Sequence, residues 1–368
     1  MQAPSDAFLA PLAPWFERVR RELPWRARDL DAPHPDPWAV LVSEVMLQQT
    51  QVTAVVPFFL RWMARFPAPA CAAEADPDEV HKLWEGLGYY RRARNLQACA
   101  VALATSGWPT DLPGLLALPG LGPYTAAAVA AIAFQRPEAA LDGNAFRLLA
   151  RLLALPEDPR GKAGALRVWL RPALASHGPS RMTQAVMELG ATLCGPGTPR
   201  CGNCPLSDRC AARQRGIQAT LPVTPPRRPP RELDLLLAAV GAEGHWLLHR
   251  PAASGLLAGL WSWPRLEAPG PSAPADGSAP QQQEIGTWEG WTQAYTHRRE
   301  RVQPLLLRLS RRFQAAEGLA WIPEEALEGL PMGRRDQRLR DLLGQPPREG
   351  GAPEGLAALL AAVRASGS

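Results

Sequence analysis

The sequence predicts a multidomain protein, all-α over roughly the first 212 residues and α+β beyond a linker. Three observations predict it. Apolar residues recur at helical spacing from about residue 8 to 212, without a strand-like alternation. The stretch LPVTPPRRPPR at 221–231 then holds five prolines and three arginines. Short apolar runs of strand type follow it. Apolar positions three and four residues apart mark the buried stripe of a helix, whereas clustered prolines remove backbone donors and leave neither helix nor ladder. The boundaries drawn are 1–212 for the helical region, 213–232 for a Pro/Arg-rich linker, 233–345 for the α+β domain and 346–368 for a tail.

Within the helical region, Trp38, Leu41, Val42, Val45 and Met46 make an i, i+3, i+4, i+7, i+8 stripe. Further helices are expected over 52–65, 78–86 behind the start signal Asp76-Pro77, Arg91–Thr105, Thr125–Phe134, Asn144–Leu155, Gly164–Ser176 and Arg181–Cys194. Beyond the linker, Leu235–Val240, His245–Arg250 and Val302–Leu309 read as strands, a Gly/Pro/Ser/Gln-rich loop fills about 266–283, and a helix closes the domain at Arg334–Leu343.

Bulk properties narrow the class. At 368 residues the chain exceeds one ordinary domain, and 46% hydrophobic with 20% charged residues is a globular composition. No apolar run reaches the length that crosses a bilayer, and the N-terminus lacks the basic-then-apolar layout of a signal peptide, so a cytoplasmic protein is expected. A net charge of +5 permits an anionic partner without singling out DNA. Of 40 basic residues only Lys82 and Lys162 are lysines.

Four of the six cysteines, Cys194, Cys201, Cys204 and Cys210, fall in a C-x6-C-x2-C-x5-C pattern. Four soft thiolates suit tetrahedral zinc or an iron-sulfur cluster, and the single short pair leans slightly toward iron-sulfur. A scaffolding role is equally compatible, ordering a loop that carries Arg200 and Arg209. Cys71 and Cys99 read as buried, inert thiols.

LPGLGPYT at 118–125 joins two helical stretches. Gly120 and Gly122 are expected to adopt backbone angles closed to other residues, and their N–H groups at a helix N-terminus suit a phosphate. Such a turn is more often a plain connection; the small-residue helix TAAAVAAIA after it and the acidic LDGN at 141–144 argue for more. Taken alone, Asp142 or Asn144 reads as a helix cap. Taken alone, Glu44, a third of a turn from the centre of its apolar stripe, reads as a solvated surface acid. The uncharged amides Gln48 and Gln49 with Thr50 beside it instead suit a pocket for base edges.

Together these motifs, WAVLVSEVMLQQTQ (38–51), EGLGYYRRARNL (85–96), LPGLGPYTAAAV, LDGN and the four cysteines in that order, resemble the helix-hairpin-helix DNA glycosylases with a [4Fe-4S] cluster. Within that superfamily, related to endonuclease III, the chain most resembles the MutY adenine DNA glycosylases, densely over about residues 15–212. The resemblance implies one [4Fe-4S] cluster on the 194–210 loop, in place of zinc. GLLAGLWSWP (255–264) and AYTHRR (294–299) resemble, more weakly, the Nudix-like C-terminal domain of that family. No REx2EE pattern lies between 234 and 345, so this domain is expected to read DNA and not to hydrolyse a nucleotide.

Breaking the bond between adenine and deoxyribose needs an acid on the base and a negative charge near the sugar. The resemblance assigns Glu44 as the acid toward N7 of adenine and Asp142 as the stabiliser of the sugar cation, with Tyr124 and Asn144 in the catalytic set. It assigns Gln49 and Thr50, and the loop Leu87, Gly88 and Tyr89, to the opposing base, with Tyr89 wedging into the stack vacated by the flipped adenine. Trp25, Arg26 and Gln184 match positions lining the adenine pocket or touching DNA. Position 124 carries the Schiff-base lysine in endonuclease III-like relatives; here it is tyrosine, which implies base removal without efficient lyase activity. A bifunctional pyrimidine-lesion lyase is therefore disfavoured, and Glu44 with Asp142 disfavours a non-catalytic DNA-binding protein. Where relatives read 8-oxoguanine with Phe-Ser-His, this chain has Tyr295, Thr296 and His297; the hydroxyl and imidazole persist. The expected partner is duplex DNA containing adenine opposite 8-oxoguanine or guanine, met by a monomer.

Overall fold

The computed structural model describes residues 5–225, 229–252, 255, 257–268, 282–349, 356 and 359. The chain divides into two compact units, Met1–Ala75 with Arg94–Pro226, and Asp76–Ala93 with Arg227–Ser368. The expected Gly/Pro/Ser/Gln-rich loop and the tail fall mostly outside the described residues.

The first unit is helical throughout its described length. In order come α1 (Ser5–Leu9), α2 (Leu12–Val19), α3 (Pro37–Leu47), α4 (Val52–Arg65) and α5 (Pro69–Ala73). After α6 (Pro77–Trp84), which belongs to the second unit, follow α7 (Arg91–Ser106), α8 (Leu112–Ala117), α9 (Pro123–Phe134), α10 (Gly143–Leu152), α11 (Ala163–His177), α12 (Pro179–Thr192) and α13 (Ala211–Gln214). Starts are marked by carboxylate caps: Asp36 Oδ1 accepts from Ala39 N at 3.1 Å before α3, with Pro37 at the first helical position.

The core forms where small residues let helices approach. Thr125 to Ala133 of α9 are all buried, and α3, α8 and α12 pack on that helix. Gly190 of α12 stands where a Cβ would sit 2.8 Å from Asn144 Cβ, so α12 meets the start of α10 at backbone distance. The helix expected over 144–155 stops at Leu152, because Ala154 turns into the left-handed region at φ 47°.

The α3 stripe read from periodicity is too narrow. Ala39, Val40, Ser43 and Glu44 are buried along with Trp38, Leu41, Val42, Val45 and Met46. A helix covered on all sides carries no solvated face, so Glu44 is not a surface acid.

In the second unit, β1 (Arg231–Ala242), β2 (His245–His249), β3 (Arg265–Ala268), β4 (Gln282–Thr287), β5 (Trp291–Ala294), β6 (Arg298–Leu309), β7 (Leu319–Pro323) and β8 (Arg348–Glu349) form one mixed sheet. Its order is β7-β2-β1-β6-β4-β8, with β3 on β1 and β5 on β6. β1 and β6 pair in parallel from Arg231↔Arg298 to Gly241↔Arg308. Arg231 thus already belongs to a ladder, one residue inside the stretch read as unable to form one.

Alternation along β1 feeds two cores: Leu235, Leu237 and Ala239 pack with Trp246, Trp263 and Leu339 on one face, and Leu236, Ala238 and Val240 with Leu247, Leu305 and Leu307 on the other. Leu339 lies on α14 (Arg334–Leu342), which covers the first face. Among the described residues no helix is long and apolar enough to cross a membrane.

Candidate active site

A cleft of about 690 Å³ in the first unit is lined by residues of α3, α9, α10 and α12. That volume lies within the usual range for a small-ligand pocket. Glu44 sits at its floor with 5% exposure. Tyr124, second residue of α9, donates its hydroxyl proton to Glu44 Oε2 at 2.6 Å. Burial raises the Glu44 carboxyl from its ordinary 4.5 to about 7; the Tyr124 hydrogen bond opposes this, the Asp142 charge adds to it and Arg26 opposes it. The Tyr124 phenol, buried against both carboxyls, is held well above its ordinary value and stays a donor.

Asp142 has two tasks. It caps α10, with Oδ1 accepting from Ala145 N at 2.7 Å, and it lines the same cleft. Its Oδ2 accepts from Asn144 Nδ2 at 2.8 Å, and burial raises its pKa. Asn144 Oδ1 in turn accepts from Arg147 Nη2 at 2.7 Å; Arg147 also donates to Gly190 O at 2.7 Å and, through Nε, to Cys194 O at 2.8 Å. A continuous chain of hydrogen bonds therefore runs from Asp142 to the first cysteine of the four-cysteine loop.

Trp25, Arg26, Gln49, Thr50 and Gln184 line the cleft as well. Gln48 donates to Thr125 Oγ1 at 3.1 Å and Gln184 to Ser180 Oγ at 3.1 Å, so both amides are oriented. Gln49 takes a left-handed φ of 57°, a conformation a glutamine rarely adopts. Sequence reasoning missed Glu188. Its side chain is 1% exposed, lines the cleft, and receives Arg26 Nη2 at 2.7 Å and Arg21 Nε at 2.5 Å. The signal was a lone acid inside the apolar run Ala185–Leu189, but its partners lie more than 160 residues away in sequence.

The hairpin between α8 and α9 departs from expectation at one glycine. Gly120 adopts φ 76°, and a Cβ there would sit 2.4 Å from Asn95 Cβ. Gly122 has an ordinary φ of −86°, so no special angle requires it; the space a Cβ would fill is open. Its absent side chain leaves the start of α9 open to close approach.

Cys194, Cys201, Cys204 and Cys210 line one cavity, together with Leu148, Leu152, Leu193 and Pro199 and the cations Arg151, Arg200 and Arg213. Among the described residues no carboxylate or imidazole lines it. Arg151, 2% exposed, ties the loop down by donating to the carbonyls of Cys194 (3.2 Å), Gly195 (2.8 Å), Gly197 (3.1 Å) and Leu221 (3.0 Å). Among the described residues no group of three or more His, Cys, Asp or Glu side chains is arranged to hold a metal ion as it stands. Of the lone cysteines, Cys99 is buried, and Cys71, expected buried, is partly exposed.

The loop Leu87–Tyr89 and the turn Tyr295–His297 both belong to the second unit. Tyr89 takes φ 50°, is 48% exposed, and its hydroxyl lies 2.5 Å from Thr296 Oγ1. Thr296 and His297 are exposed at the β5–β6 hairpin, where Tyr295 N donates to Arg298 O at 2.8 Å. Beneath that turn lies a buried ion network: Glu300 meets Arg298 at 2.5 Å and Arg335 at 3.2 Å, and Arg335 meets Asp336 at 2.9 Å. Nothing in the sequence pattern marked it.

The helical first unit with its two-carboxylate cleft and the mixed-sheet second unit define the class: a helix-hairpin-helix domain joined to a Nudix-like domain. Residues 42–172 match the HhH-GPD superfamily of base excision DNA repair proteins, and 236–342 match the NUDIX domain. An adenine DNA glycosylase of Schizosaccharomyces pombe is 32% identical over 343 residues, covering 77% of this chain and 74% of that protein. The chain belongs to the adenine DNA glycosylase family. A Rattus norvegicus adenine DNA glycosylase is 38% identical over 312 residues, 71% of this chain, but the chain spans only 60% of that relative's length. The solved structure of a thermostable thymine-DNA glycosylase is similar in fold alone, with TM-score 0.50 at 24% identity over 57% of this chain and 96% of its own.

Proposed function

We propose that this protein hydrolyses the N-glycosidic bond of adenine opposite 8-oxoguanine or guanine in duplex DNA and leaves the strand uncut. The observation that carries the reading is Glu44: a carboxyl buried in a polar cleft and raised to about 7 holds a proton at neutral pH and can give it away. Glu44 donates that proton to adenine N7 as the C1′–N9 bond breaks and its electron pair leaves with the base. Asp142 faces the positive charge that develops on the sugar. Water then adds to C1′, and the Glu44 carboxylate takes its proton. Tyr124 keeps Glu44 oriented throughout, while Arg26, Trp25 and Gln184 frame the base and Asn144 fixes Asp142.

Outside the cleft, Gly120 and Gly122 approach the phosphate backbone. Gln49, Thr50 and Leu87–Tyr89 meet the opposing base, Tyr89 as the wedge, and Tyr295–His297 read the lesion. The experiment that tests the function is release of adenine from A:8-oxoguanine and A:G duplexes, with a duplex carrying an oxidised pyrimidine beside them. Adenine release with no action on the pyrimidine lesion is the expected result; the reverse would establish a pyrimidine glycosylase instead.

The absence of a lysine at position 124 limits the chemistry to hydrolysis. Lys162 is paired with Glu157 at 3.1 Å, and the Lys82 ammonium is engaged by Glu85 at 2.9 Å and by two carbonyls. Borohydride present during turnover is therefore expected to trap no covalent protein–DNA adduct. A robust adduct at wild-type rates would overturn the monofunctional assignment.

The cysteine cavity fits a [4Fe-4S] cluster by donor chemistry: four thiols, no carboxylate or imidazole among the described lining residues, and arginines to offset the negative charge. Cys194, Cys201, Cys204 and Cys210 would hold it, and when bound it supplies a rigid anchor for the 194–210 loop. Purified protein is expected to contain iron and acid-labile sulfide in equal amounts, both lost in Cys204→Ser. Zinc in their place would reverse the assignment.

A further inference from the structure

We propose that Lys82 and Glu85 form a clasp that positions the Tyr89 wedge against the lesion-reading turn, and thereby set how strongly the enzyme prefers 8-oxoguanine over guanine opposite its adenine. This rests on the lesion-reading role given above to Tyr89 and Tyr295–His297.

Nearly all basic residues in this chain are arginine, yet position 82 is lysine. An ammonium offers three donors around one point, where a guanidinium offers a planar fork. The site uses all three. Lys82 Nζ donates to Glu328 O at 2.6 Å and Leu330 O at 3.4 Å, and pairs with Glu85 Oε2 at 2.9 Å. The two carbonyls lie at the C-terminal end of the 3-10 turn Glu324–Gly329, where a cation is favoured. Glu85, only 16% exposed at its side chain, accepts from Met332 N through its other oxygen at 3.1 Å.

Further contacts brace the same seam. Tyr90 donates its hydroxyl to Met332 O at 3.4 Å, and Trp261 Nε1 donates to Asp78 Oδ2 at 3.5 Å. Segment 76–93 thus packs as part of the C-terminal unit. Four residues past Glu85, the chain delivers the Tyr89 hydroxyl to within 2.5 Å of Thr296 Oγ1. That register depends on where α6 is pinned. The pins are the ammonium and the carboxylate of the clasp, neither of which belongs to the catalytic cleft. A wedge held in register with the reading turn meets the opposing base with its ordering cost already met, which is the source of extra affinity in preorganised sites.

The test is single-turnover adenine release from A:8-oxoguanine and A:G duplexes by wild type, Lys82→Met, Glu85→Gln and Thr296→Ala, and by the double variant Lys82→Met/Thr296→Ala. Each clasp variant is expected to lower the 8-oxoguanine-to-guanine rate ratio by about tenfold, the size of one lost charge-assisted hydrogen bond, because the A:8-oxoguanine rate falls further than the A:G rate. A purely structural defect would reduce the active fraction and lower both rates together, leaving the ratio unmoved. Thermal melting of each variant separates this case from misfolding, and Glu85→Gln preserves shape should Lys82→Met fold poorly. The double variant is expected to be no worse than Thr296→Ala alone, because the clasp acts through that residue. Additive losses, or a wild-type ratio in either clasp variant, would overturn the clasp while leaving lesion reading intact. A wild type with no preference for 8-oxoguanine would overturn both.

Discussion

Glu44→Gln is expected to slow adenine release by about 10²–10⁴-fold, the usual worth of a positioned general acid, while making the folded protein more stable at pH 8. The two effects share one cause. Glutamine keeps the oxygen that accepts from Tyr124, so the cleft stays intact, but it has no proton to give. Because burial raises the folded carboxyl to about 7 from 4.5, the contribution of Glu44 to stability is fully present below 4.5 and is lost as pH rises through about 7. Above that pH the native state holds a buried carboxylate at a cost of up to about 3 kcal/mol, which the glutamine variant does not carry. Denaturant melts at pH 4 and pH 8 check this: the stability gap should open only at the higher pH. Wild-type adenine release should fall as pH rises above about 7, and the residual activity of the variant should lack that limb. Equal release by both proteins would remove Glu44 from the mechanism.

Asp142→Asn is expected to cost about 10²–10³-fold in the rate of base release with duplex affinity largely kept, as for loss of one group aimed at transition-state charge. The substitution is informative because asparagine caps a helix as well as aspartate does, so α10 keeps its start. What it loses is the negative charge and one hydrogen bond. With its oxygen committed to Ala145 N, the new amide would point a donor at Asn144 Nδ2, and Asn144 is prevented from flipping because its oxygen is held by Arg147. A modest drop in melting temperature should accompany the rate loss, since one donor pair is left facing itself. Removing the Asp142 charge also removes a raising influence on Glu44, so the alkaline limb of the pH–rate profile should move to lower pH. A variant with near-wild-type rate would leave Asp142 as a cap alone.

Much of this was legible in the residues. Helical periodicity, the Pro/Arg stretch and the strand-type runs outlined the two regions, and the strands at 235–240, 245–250 and 302–309 correspond to β1, β2 and β6. Strands β3, β4 and β5 are short and lack the continuous apolar run that marks the equally short β2, and the two residues of β8 carry no pattern, so local sequence does not separate them from loops; β7 is as short. The parallel pairing of β1 with β6 joins positions far apart in sequence and is specified only by which faces both strands bury. The clasp and the Glu300–Arg335–Asp336 network are invisible for the same reason: each charge looks solvated until a distant partner covers it.

By itself the sequence determined the classes of element, the order of the motifs, the four-thiol set and the tyrosine at 124, all properties of local spacing and residue type. Tertiary structure alone decided what Glu44 is. Its helix has no free face once α4 and α9 close over it, and a carboxyl there keeps its proton because burial penalises the charge more than Tyr124 and Arg26 relieve it. The same folding brought Asp142, a plain cap by sequence, into that cleft, and set Lys82 against carbonyls some 250 residues further along the chain. Burial and long-range contact are sums over the whole fold, and no local pattern records them.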